Sequence, residues 1–265
     1  MMEPLEYGIS RLSIVPVRAD ASDASEMISQ LLFGEHYFVL EISKNQQWYK
    51  IQNAFDNYEG WIDAKQHSKI SAEYYEQVNN TEYKICTNLT SEILYGRNVI
   101  HITLGAVLPI LNNPLFNDQE KFAFNGDAKS LHQKWNVDQM IALSKKYLNA
   151  PYLWGGKSPF GIDCSGFTQV VFRVAGYKLP RDTKDQITKG KEVKFENAMP
   201  GDLVFFTNKA GKMNHVGIVL PNAQVIHASG RVKIDQLDVQ GIFSVEQNAY
   251  SHTLFKIKRV LRDYT

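Results

Sequence analysis

Hydrophobic periodicity changes twice along this chain of 265 residues. Up to about residue 125, apolar residues form short β-type runs separated by frequent turns, among them Leu12 to Val17, Tyr37 to Ile42 and Val99 to Leu104. Short, closely spaced strands of this kind are typical of small barrels. Two helical segments follow, and strand-type runs return beyond Gly201. We therefore predict an α+β chain whose C-terminal half packs helices on an antiparallel sheet.

The two predicted helices flank a glycine-containing loop. The first spans Val137 to Leu148 and has a partly one-faced apolar pattern. The second begins at or beside Cys164 and ends near Gly176, a residue type that favours the C-terminal cap. Its apolar residues recur at i, i+3, i+4 and i+7, namely Phe167, Val170, Val171 and Val174. This stripe is expected to anchor the helix while its N-terminus points outward.

Cys164 is the candidate nucleophile, because a helix start offers unpaired backbone N–H groups and a positive dipole end that favour thiolate. A cysteine nucleophile needs a general base, and the base needs a partner that fixes its tautomer. His215 and His227 lie on neighbouring predicted strands joined by a tight turn at Pro221-Asn222, which brings both histidines to one open end of a hairpin. The remaining histidines have no such context: His36, His67, His101, His132 and His252.

The charge balance excludes some partners. Lys and Arg number 29 against 28 Asp and Glu, which gives no electrostatic reason to expect nucleic acid or an anionic membrane as the main partner. The basic run from Lys256 to Arg262 alternates with apolar residues and predicts an edge strand with a solvated face. Zinc held by His215 and His227 is disfavoured, because Cys164 is the one thiol candidate nearby.

The cysteines and the N-terminal sequence indicate a reducing compartment. Cys86 lies in an alternating run and is expected to be a buried small hydrophobe, and two cysteines do not resemble a small disulfide scaffold. The first residues lack a basic segment followed by an apolar one, and the chain has no run of about 18 apolar residues. A cytoplasmic location is therefore expected, which would keep Cys164 reduced.

Six short motifs stand in order beyond residue 150. They are Pro151 to Gly156, Asp163-Cys164-Ser165-Gly166, Leu179 to Thr183, Pro200 to Phe206, His215 to Ile218 and Ile226-His227-Ala228. With these motifs the chain, from about residue 137 onward, resembles the NlpC family of papain-like cysteine peptidases, bacterial enzymes that cut cell-wall peptides. The resemblance implies Cys164 as nucleophile, His215 as general base and His227 as the residue that orients it, with no cofactor and no metal.

The resemblance also suggests substrate-binding residues around the nucleophile. Ser165 and Asp182 stand at positions that recognise the D-glutamyl portion of the peptide in relatives, and Thr183 stands where many relatives have serine. Tyr152 is a candidate donor to the developing oxyanion. Two residues keep alternative roles: Asp163 either caps the helix or holds the loop or the substrate's amine, and Trp154 is either a packing wall or a contact.

The N-terminal region resembles the bacterial SH3-like barrels that precede this catalytic domain in murein-peptide recycling enzymes. Its carriers are Leu32 to Glu35, Trp48 to Ile51 and Asp56 to Trp61. The resemblance implies that Glu35 and Tyr58 bind the free N-terminal amine of the substrate. We predict SH3-like barrels at residues 1–66 and 67–126, and a papain-like domain at residues 127–265.

Together these features predict a cysteine peptidase that cuts the γ-D-glutamyl-L-diamino acid bond of murein peptides with a free N-terminal L-alanine. The partner is then a murein-derived peptide, and a monomer is expected. Two rivals stay open at this point. One is a wall-binding module with an inactive peptidase domain, against which intact Cys164, His215 and His227 argue. The other is an amidase or acyltransferase on the same fold. The diamino acid of the substrate is either lysine or meso-diaminopimelate.

Overall fold

The computed structural model describes residues 4–80, 82–108, 122–208 and 210–261. The chain forms two compact units. The N-terminal unit comprises Met1–Gln133 together with Trp154–Pro159, and the C-terminal unit comprises Lys134–Leu153 together with Phe160–Thr265. The chain thus leaves the C-terminal unit for six residues shortly before Cys164. The division of the N-terminal unit into two SH3-like barrels, with boundaries at residues 66 and 126, stays a prediction.

The first part of the N-terminal unit is one antiparallel sheet of seven strands. The strands are β1 (Glu6–Ile9), β2 (Ile14–Arg18), β3 (Met27–Leu32), β4 (His36–Ile42), β5 (Trp48–Asn53), β6 (Glu59–Asp63) and β7 (Lys69–Ile70), and a 3₁₀ turn spans Ala64–Gln66. Their spatial order is β3-β2-β6-β5-β4-β1-β7. Alternate residues of these strands form its core: Val15, Val17, Leu31, Tyr37, Val39, Ile51 and Ile62. The β-rich character predicted for this region is confirmed.

The second part of the unit contains one helix and two small sheets. They are built from α1 (Ala72–Asn80), β8 (Lys84–Cys86), β9 (Thr90–Tyr95), β10 (Asn98–Thr103), β11 (Val107–Leu108), β12 (Phe122–Asn125) and β13 (Ala128–Ser130). β9 lies between β10 and β12, and β8 lies between β11 and β13. Cys86 is buried in their core, as predicted. A further strand of this unit, β14 (Lys157–Ser158), comes from the six-residue excursion.

Gly34 allows the two parts of the N-terminal unit to approach closely. Its φ is +79°, and a Cβ at this position would lie 1.9 Å from the carbonyl oxygen of Val107. The neighbouring Phe33 accepts a hydrogen bond from the Val107 N–H at 2.8 Å and packs in the core around Cys86. Only glycine combines this backbone conformation with this contact.

The C-terminal unit packs helices against a long antiparallel sheet, which confirms the predicted α+β class. Its elements are α2 (Val137–Lys145), β15 (Gly161–Ile162), α3 (Cys164–Val174), α4 (Thr183–Gln186), β16 (Lys191–Val193), a 3₁₀ turn (Phe195–Asn197), β17 (Leu203–Thr207), β18 (Met213–Leu220), β19 (Gln224–Ser229), β20 (Arg231–Leu237), β21 (Gly241–Ser244) and β22 (Ala249–Arg259). α3 packs on β18 and β19, and α2 packs on α3.

The sheet closes on itself because β21 pairs with β22 as well as with β20. Strands β17 to β22 therefore form a ring, with β16 added to β22. One sheet face carries the apolar cluster Val204, Phe206, Val219, Val225, Leu237, Ile242 and Ile257. The prediction of an edge strand at Lys256 to Arg262 is wrong for the described residues: β22 pairs with β16, β17 and β21. Its alternation reflects an interior strand, whose Lys256 pairs with Glu192 at 2.9 Å.

Several elements were not predicted. α1 buries Tyr74, Tyr75 and Val78, a pattern too short to stand out in the sequence. β13, which pairs with β8, lies in a polar stretch of the chain that has no strand-type alternation. Of the described residues, those in helices form no segment long and apolar enough to cross a bilayer.

Candidate active site

Cys164 is the first residue of α3, as predicted. Asp163 caps the helix, since its carboxylate accepts a hydrogen bond from the Gly166 N–H at 2.6 Å. The helix ends at Val174, and Gly176 follows with φ +89°. Every residue of α3 is buried, so the predicted apolar stripe is one side of a helix enclosed on all sides. This enclosure fixes the thiol in place rather than leaving it on a mobile loop.

A buried arginine joins the cap to the first turn of α3. Arg181 is 2% exposed, and its guanidinium donates to both carboxylate oxygens of Asp163, at 3.0 and 2.5 Å. The same guanidinium donates to Ser165 Oγ at 2.9 Å. Of the two roles predicted for Asp163, capping is therefore the one observed. Sequence reasoning missed Arg181, although it stands inside the quoted motif Leu179 to Thr183.

His215 and His227 lie on one face of the β18–β19 hairpin. His227 is opposite Gly217 in the register, and His215 lies two residues before Gly217, so both side chains project from the same side of the sheet. His215 Nε2 and His227 Nδ1 are 2.8 Å apart, and both rings are buried. The two histidines predicted at one end of this hairpin are therefore in direct contact through their ring nitrogens.

Asp235 extends this chain of contacts, and sequence reasoning missed it. Its Oδ2 lies 3.1 Å from His227 Nε2 and 3.2 Å from Lys233 Nζ. Asp235 is 3% exposed. The available signal was the alternation of polar and apolar residues over 231–237, directly after the turn at Gly230. This alternation predicts a further strand beside His227.

The Cys164 thiol lies against the strand that carries His215. Its Sγ is 4.0 Å from the carbonyl oxygen of Asn214, and the backbone of Val216 hydrogen-bonds to the sulfur. These two residues flank His215 in sequence. The Thr183 hydroxyl also hydrogen-bonds to the sulfur. The structure thus brings Cys164 and Thr183 together beside His215, where the buried part of β18 begins.

Burial keeps the Cys164 thiol and the rings of His215 and His227 neutral. It raises the pKa of Cys164 to about 11, and the negative charge of Asp163 adds to the rise, while hydrogen bonds from Val216 and Thr183 and the charge of Arg181 lower it. Burial also lowers the pKa of His215 well below its usual value, and lowers that of His227. A neutral His215 is a proton acceptor, as a general base must be.

Tyr152 lies within electrostatic reach of Cys164. Burial raises the pKa of its phenol to about 12, and Cys164 and Asp163 contribute to this rise. The phenol is therefore a protonated donor at neutral pH. Asp182 directly precedes α4, whose first residue is Thr183. The carboxylate of Asp182 pairs with Lys184 at 3.7 Å.

Three predicted binding residues lie in the N-terminal unit. Trp154 is 60% exposed, and its Nε1 donates to Glu26 at 2.5 Å. Tyr58 is half-buried in the turn before β6, where its carbonyl accepts from the Asn53 N–H at 2.9 Å. Its predicted contact with the substrate amine is not tested by this geometry.

Glu35 is buried and paired, and its predicted contact with the substrate amine stays a prediction. The residue is 1% exposed, and Lys157 Nζ lies 3.0 and 3.1 Å from its two carboxylate oxygens. The Leu32 N–H donates to the same carboxylate at 2.9 Å. The negative charge of this buried carboxylate is thus balanced by an internal ammonium. Glu35 anchors the six-residue excursion within the N-terminal unit.

His252 also departs from expectation, since no neighbouring motif pointed to it. Its ring stacks on that of His215 with centroids 4.2 Å apart and an interplanar angle of 22°. Burial lowers the pKa of His252 to about 4, with the charges of His227 and Lys233 adding to the effect. The candidate base His215 is therefore covered on one ring face by a second neutral imidazole.

The site combines a thiol, a neutral imidazole and a protonated phenol, which suits acyl transfer through a thioester. Within the described ranges, no three His, Cys, Asp or Glu side chains are arranged to hold a metal ion.

Comparison with family models gives two matches. Residues 149–256 match the NlpC/P60 family, and residues 17–66 match the bacterial dipeptidyl-peptidase SH3 domain. The first match contains Cys164, His215, His227 and Asp235.

Two relatives align with most of the chain. A gamma-D-glutamyl-L-lysine dipeptidyl-peptidase of Bacillus subtilis is 29% identical over 87% of this chain and 80% of its own length. A protein of the same name from Bacillus cereus is 27% identical over 83% of this chain and 73% of its own length. Among solved structures, an NlpC/P60 family protein from Bacillus cereus superposes with a TM-score of 0.81 at 20% identity, covering 96% of this chain and 99% of that one. This last likeness concerns the fold.

Proposed function

We infer the activity of this chain from the premise that its residues 149–256 form a domain of the NlpC/P60 family of cysteine peptidases, preceded by a bacterial dipeptidyl-peptidase SH3 domain. We propose that it hydrolyses the γ-D-glutamyl-L-diamino acid bond of murein peptides that begin with an unblocked L-alanine. The observation that carries the proposal is the buried contact of His215 with His227 beside Cys164, in a chain that aligns with two dipeptidyl-peptidases over 87% and 83% of its length.

The first half of the reaction forms a thioester. Cys164 Sγ attacks the γ-glutamyl carbonyl carbon as the thiol proton passes to His215. The carbonyl oxygen becomes an oxyanion, for which the Tyr152 hydroxyl and the unpaired N–H groups at the start of α3 are the available donors. The C–N bond then breaks, and the imidazolium of His215 returns the proton to the leaving amine of the diamino acid.

The second half releases the acid. His215 takes a proton from a water molecule, and the hydroxide adds to the thioester carbon. The C–S bond breaks, the proton returns to Cys164, and the dipeptide leaves with a free γ-carboxylate. Each half moves one proton through His215. This supports a base that is neutral at rest, as burial makes it.

The buried network at α3 supports substrate binding by Ser165. Arg181 is donor-only, so its bond to Ser165 Oγ leaves the hydroxyl free to donate. In the structure that proton is directed to Asp163 Oδ1 at 3.2 Å. A substrate carboxylate near this turn would compete for the same proton. The D-glutamyl α-carboxylate is the group we assign to Ser165, with Asp182 and Thr183 on the neighbouring turn.

The activity is tested with the purified protein and two peptides, L-Ala-γ-D-Glu-L-Lys and its N-acetylated form. Release of lysine from the free peptide, at a rate at least about tenfold above that from the acetylated one, supports the proposal. The matched control is Cys164→Ala, which retains the helix start but lacks the nucleophile. Release of lysine from neither peptide overturns the proposed activity, and equal release from both removes the free amine from it. A parallel assay with meso-diaminopimelate in place of lysine determines the diamino acid preferred.

A further inference from the structure

Asp235 closes the buried chain of polar groups that begins at His215. Its carboxylate accepts hydrogen bonds from two sides: Oδ2 faces His227 Nε2 and Lys233 Nζ, and Oδ1 faces the Val245 N–H at 3.4 Å. Burial raises the pKa of Asp235, but the hydrogen bonds and charges of His227 and Lys233 outweigh it and leave the pKa below its ordinary value. The group is thus ionised at neutral pH and can only accept.

An acceptor at this place fixes the proton positions of both histidines. His227 Nε2 must carry a proton to donate to Asp235. In the neutral ring, Nδ1 is then the acceptor. Since His227 Nδ1 faces His215 Nε2 at 2.8 Å, His215 Nε2 must carry the proton of that ring. The remaining nitrogen, His215 Nδ1, is left as the unprotonated one.

We propose that Asp235 is a positioning residue that sets the Nε2–H tautomer of His227 and, through it, that of His215. The inference rests on the proposed function, because it concerns the base of that reaction. An unprotonated His215 Nδ1 is what takes the proton from Cys164, whereas the opposite tautomer would present an N–H and could not act as base. The residue acts two hydrogen bonds from the base and does not touch the substrate.

The ammonium of Lys233 would determine how an amide at position 235 orients, so asparagine variants can test the proposal. In Asp235→Asn, the amide oxygen is held toward His227 and Lys233, since both donate, and only the long bond from the Val245 N–H is lost. The tautomer order therefore survives in this variant. In Asp235→Asn with Lys233→Met, the amide is free to turn its NH₂ toward His227 and its oxygen toward the Val245 N–H. His227 then becomes the acceptor, and the order of protons inverts.

Kinetic measurements on the full chain test this order. Asp235→Leu is expected to lower kcat by about 10²- to 10³-fold, less than the 10⁴-fold known for a directly bonded aspartate because one imidazole intervenes. Asp235→Asn should lose less than about tenfold, and Asp235→Asn with Lys233→Met should fall to the level of Asp235→Leu. Asp238→Asn is the matched control: this carboxylate accepts a hydrogen bond from the hydroxyl of Tyr250 on β22 and lies outside the chain of histidines. Equal losses in Asp235→Asn and Asp235→Leu would overturn the proposal.

A spectroscopic measurement tests the proton positions without any substrate. The ¹⁵N resonances of the imidazole nitrogens, in protein labelled at histidine, distinguish protonated from unprotonated nitrogen, and His215→Gln and His227→Gln variants assign them. The wild-type protein at pH 7 should show Nε2 protonated in both rings, and Asp235→Leu should show a mixture. A wild-type spectrum with His227 protonated at Nδ1 overturns the proposal. This readout holds even if neither peptide is cleaved, so failure of the proposed activity and failure of the tautomer assignment are separable.

Discussion

The guanidinium of Arg181 binds both carboxylate oxygens of Asp163, the residue directly before the proposed nucleophile Cys164. Arg181 and Asp163 act in opposite directions on the sulfur: the carboxylate raises the pKa of Cys164, and the guanidinium lowers it. The cap of α3 therefore carries a charge that favours the helix but disfavours the thiolate. The positive charge of Arg181 offsets the negative charge of Asp163 and so limits the rise in the pKa of Cys164.

Replacing Arg181 should show how much its ion pair with Asp163 stabilises the fold. In Arg181→Met the carboxylate of Asp163 is buried without its partner, so we expect the free energy of unfolding to fall by about 3 kcal/mol. Asp163→Asn with Arg181→Met keeps an N-cap acceptor and removes the charge, and should recover most of that loss. Urea denaturation followed by circular dichroism measures both. A double variant no more stable than Arg181→Met would contradict the ion-pair explanation.

Thr183 provides a second test of the sulfur's environment. Its hydroxyl hydrogen-bonds to the Cys164 sulfur and lowers the pKa of the thiol. Thr183→Val has nearly the same shape but no hydroxyl, so alkylation of Cys164 by iodoacetamide at pH 8 should slow by about tenfold. Thr183→Ser, which keeps the hydroxyl and lacks the methyl group, should react at nearly the wild-type rate. Equal rates in the valine and serine variants would show that the hydroxyl does not stabilise the thiolate.

The ion pair of Lys157 with Glu35 predicts a structural effect without a change in amine selectivity. Lys157→Met leaves a buried carboxylate unpaired and should lower the free energy of unfolding by about 3–5 kcal/mol. Lys157→Met with Glu35→Gln should regain stability and retain the preference for the unblocked peptide. Measurement of kcat/KM on the free and acetylated peptides checks this. Loss of the preference in a folded double variant would support the role of Glu35 as amine ligand.

His252 should make the protein less stable in acid. Its pKa is about 4 in the folded protein and about 6.5 when unfolded, so below pH 6.5 the unfolded chain takes up a proton that the folded one does not. The stabilising contribution of neutral His252 to the free energy of unfolding is therefore fully present above pH 6.5, and it declines as the pH falls toward 4. His252→Phe keeps an aromatic ring against His215 but cannot titrate, so its free energy of unfolding should change less between pH 7 and pH 5. Parallel pH dependences of wild type and variant would contradict this.

The helix start at Cys164 could be predicted because its determinants are local. A loop with glycine, a residue able to cap and an apolar period of 3.6 lie within a short stretch of chain, and the structure has α3 where they indicate. The hairpin that joins His215 and His227 was predictable for the same reason, since a period of two and a tight turn fix which side chains share a face. These features depend on neighbours in sequence.

The sequence by itself therefore determined the nucleophile's place at a helix start, the pair of histidines and the α+β class. Only the tertiary structure decided what surrounds them: Asp235 behind His227, His252 over His215, Arg181 on Asp163, and Lys157 on Glu35. His252 and Lys157 reach their partners from distant segments of the chain, and Arg181 reaches Asp163 from beyond the end of α3. Asp235 lies on β20, the strand next to His227, and the structure shows that its carboxylate is buried against that ring. A charged or titratable residue is the same letter in the sequence whether its side chain is solvated or buried. Burial is what determines its partner and its pKa.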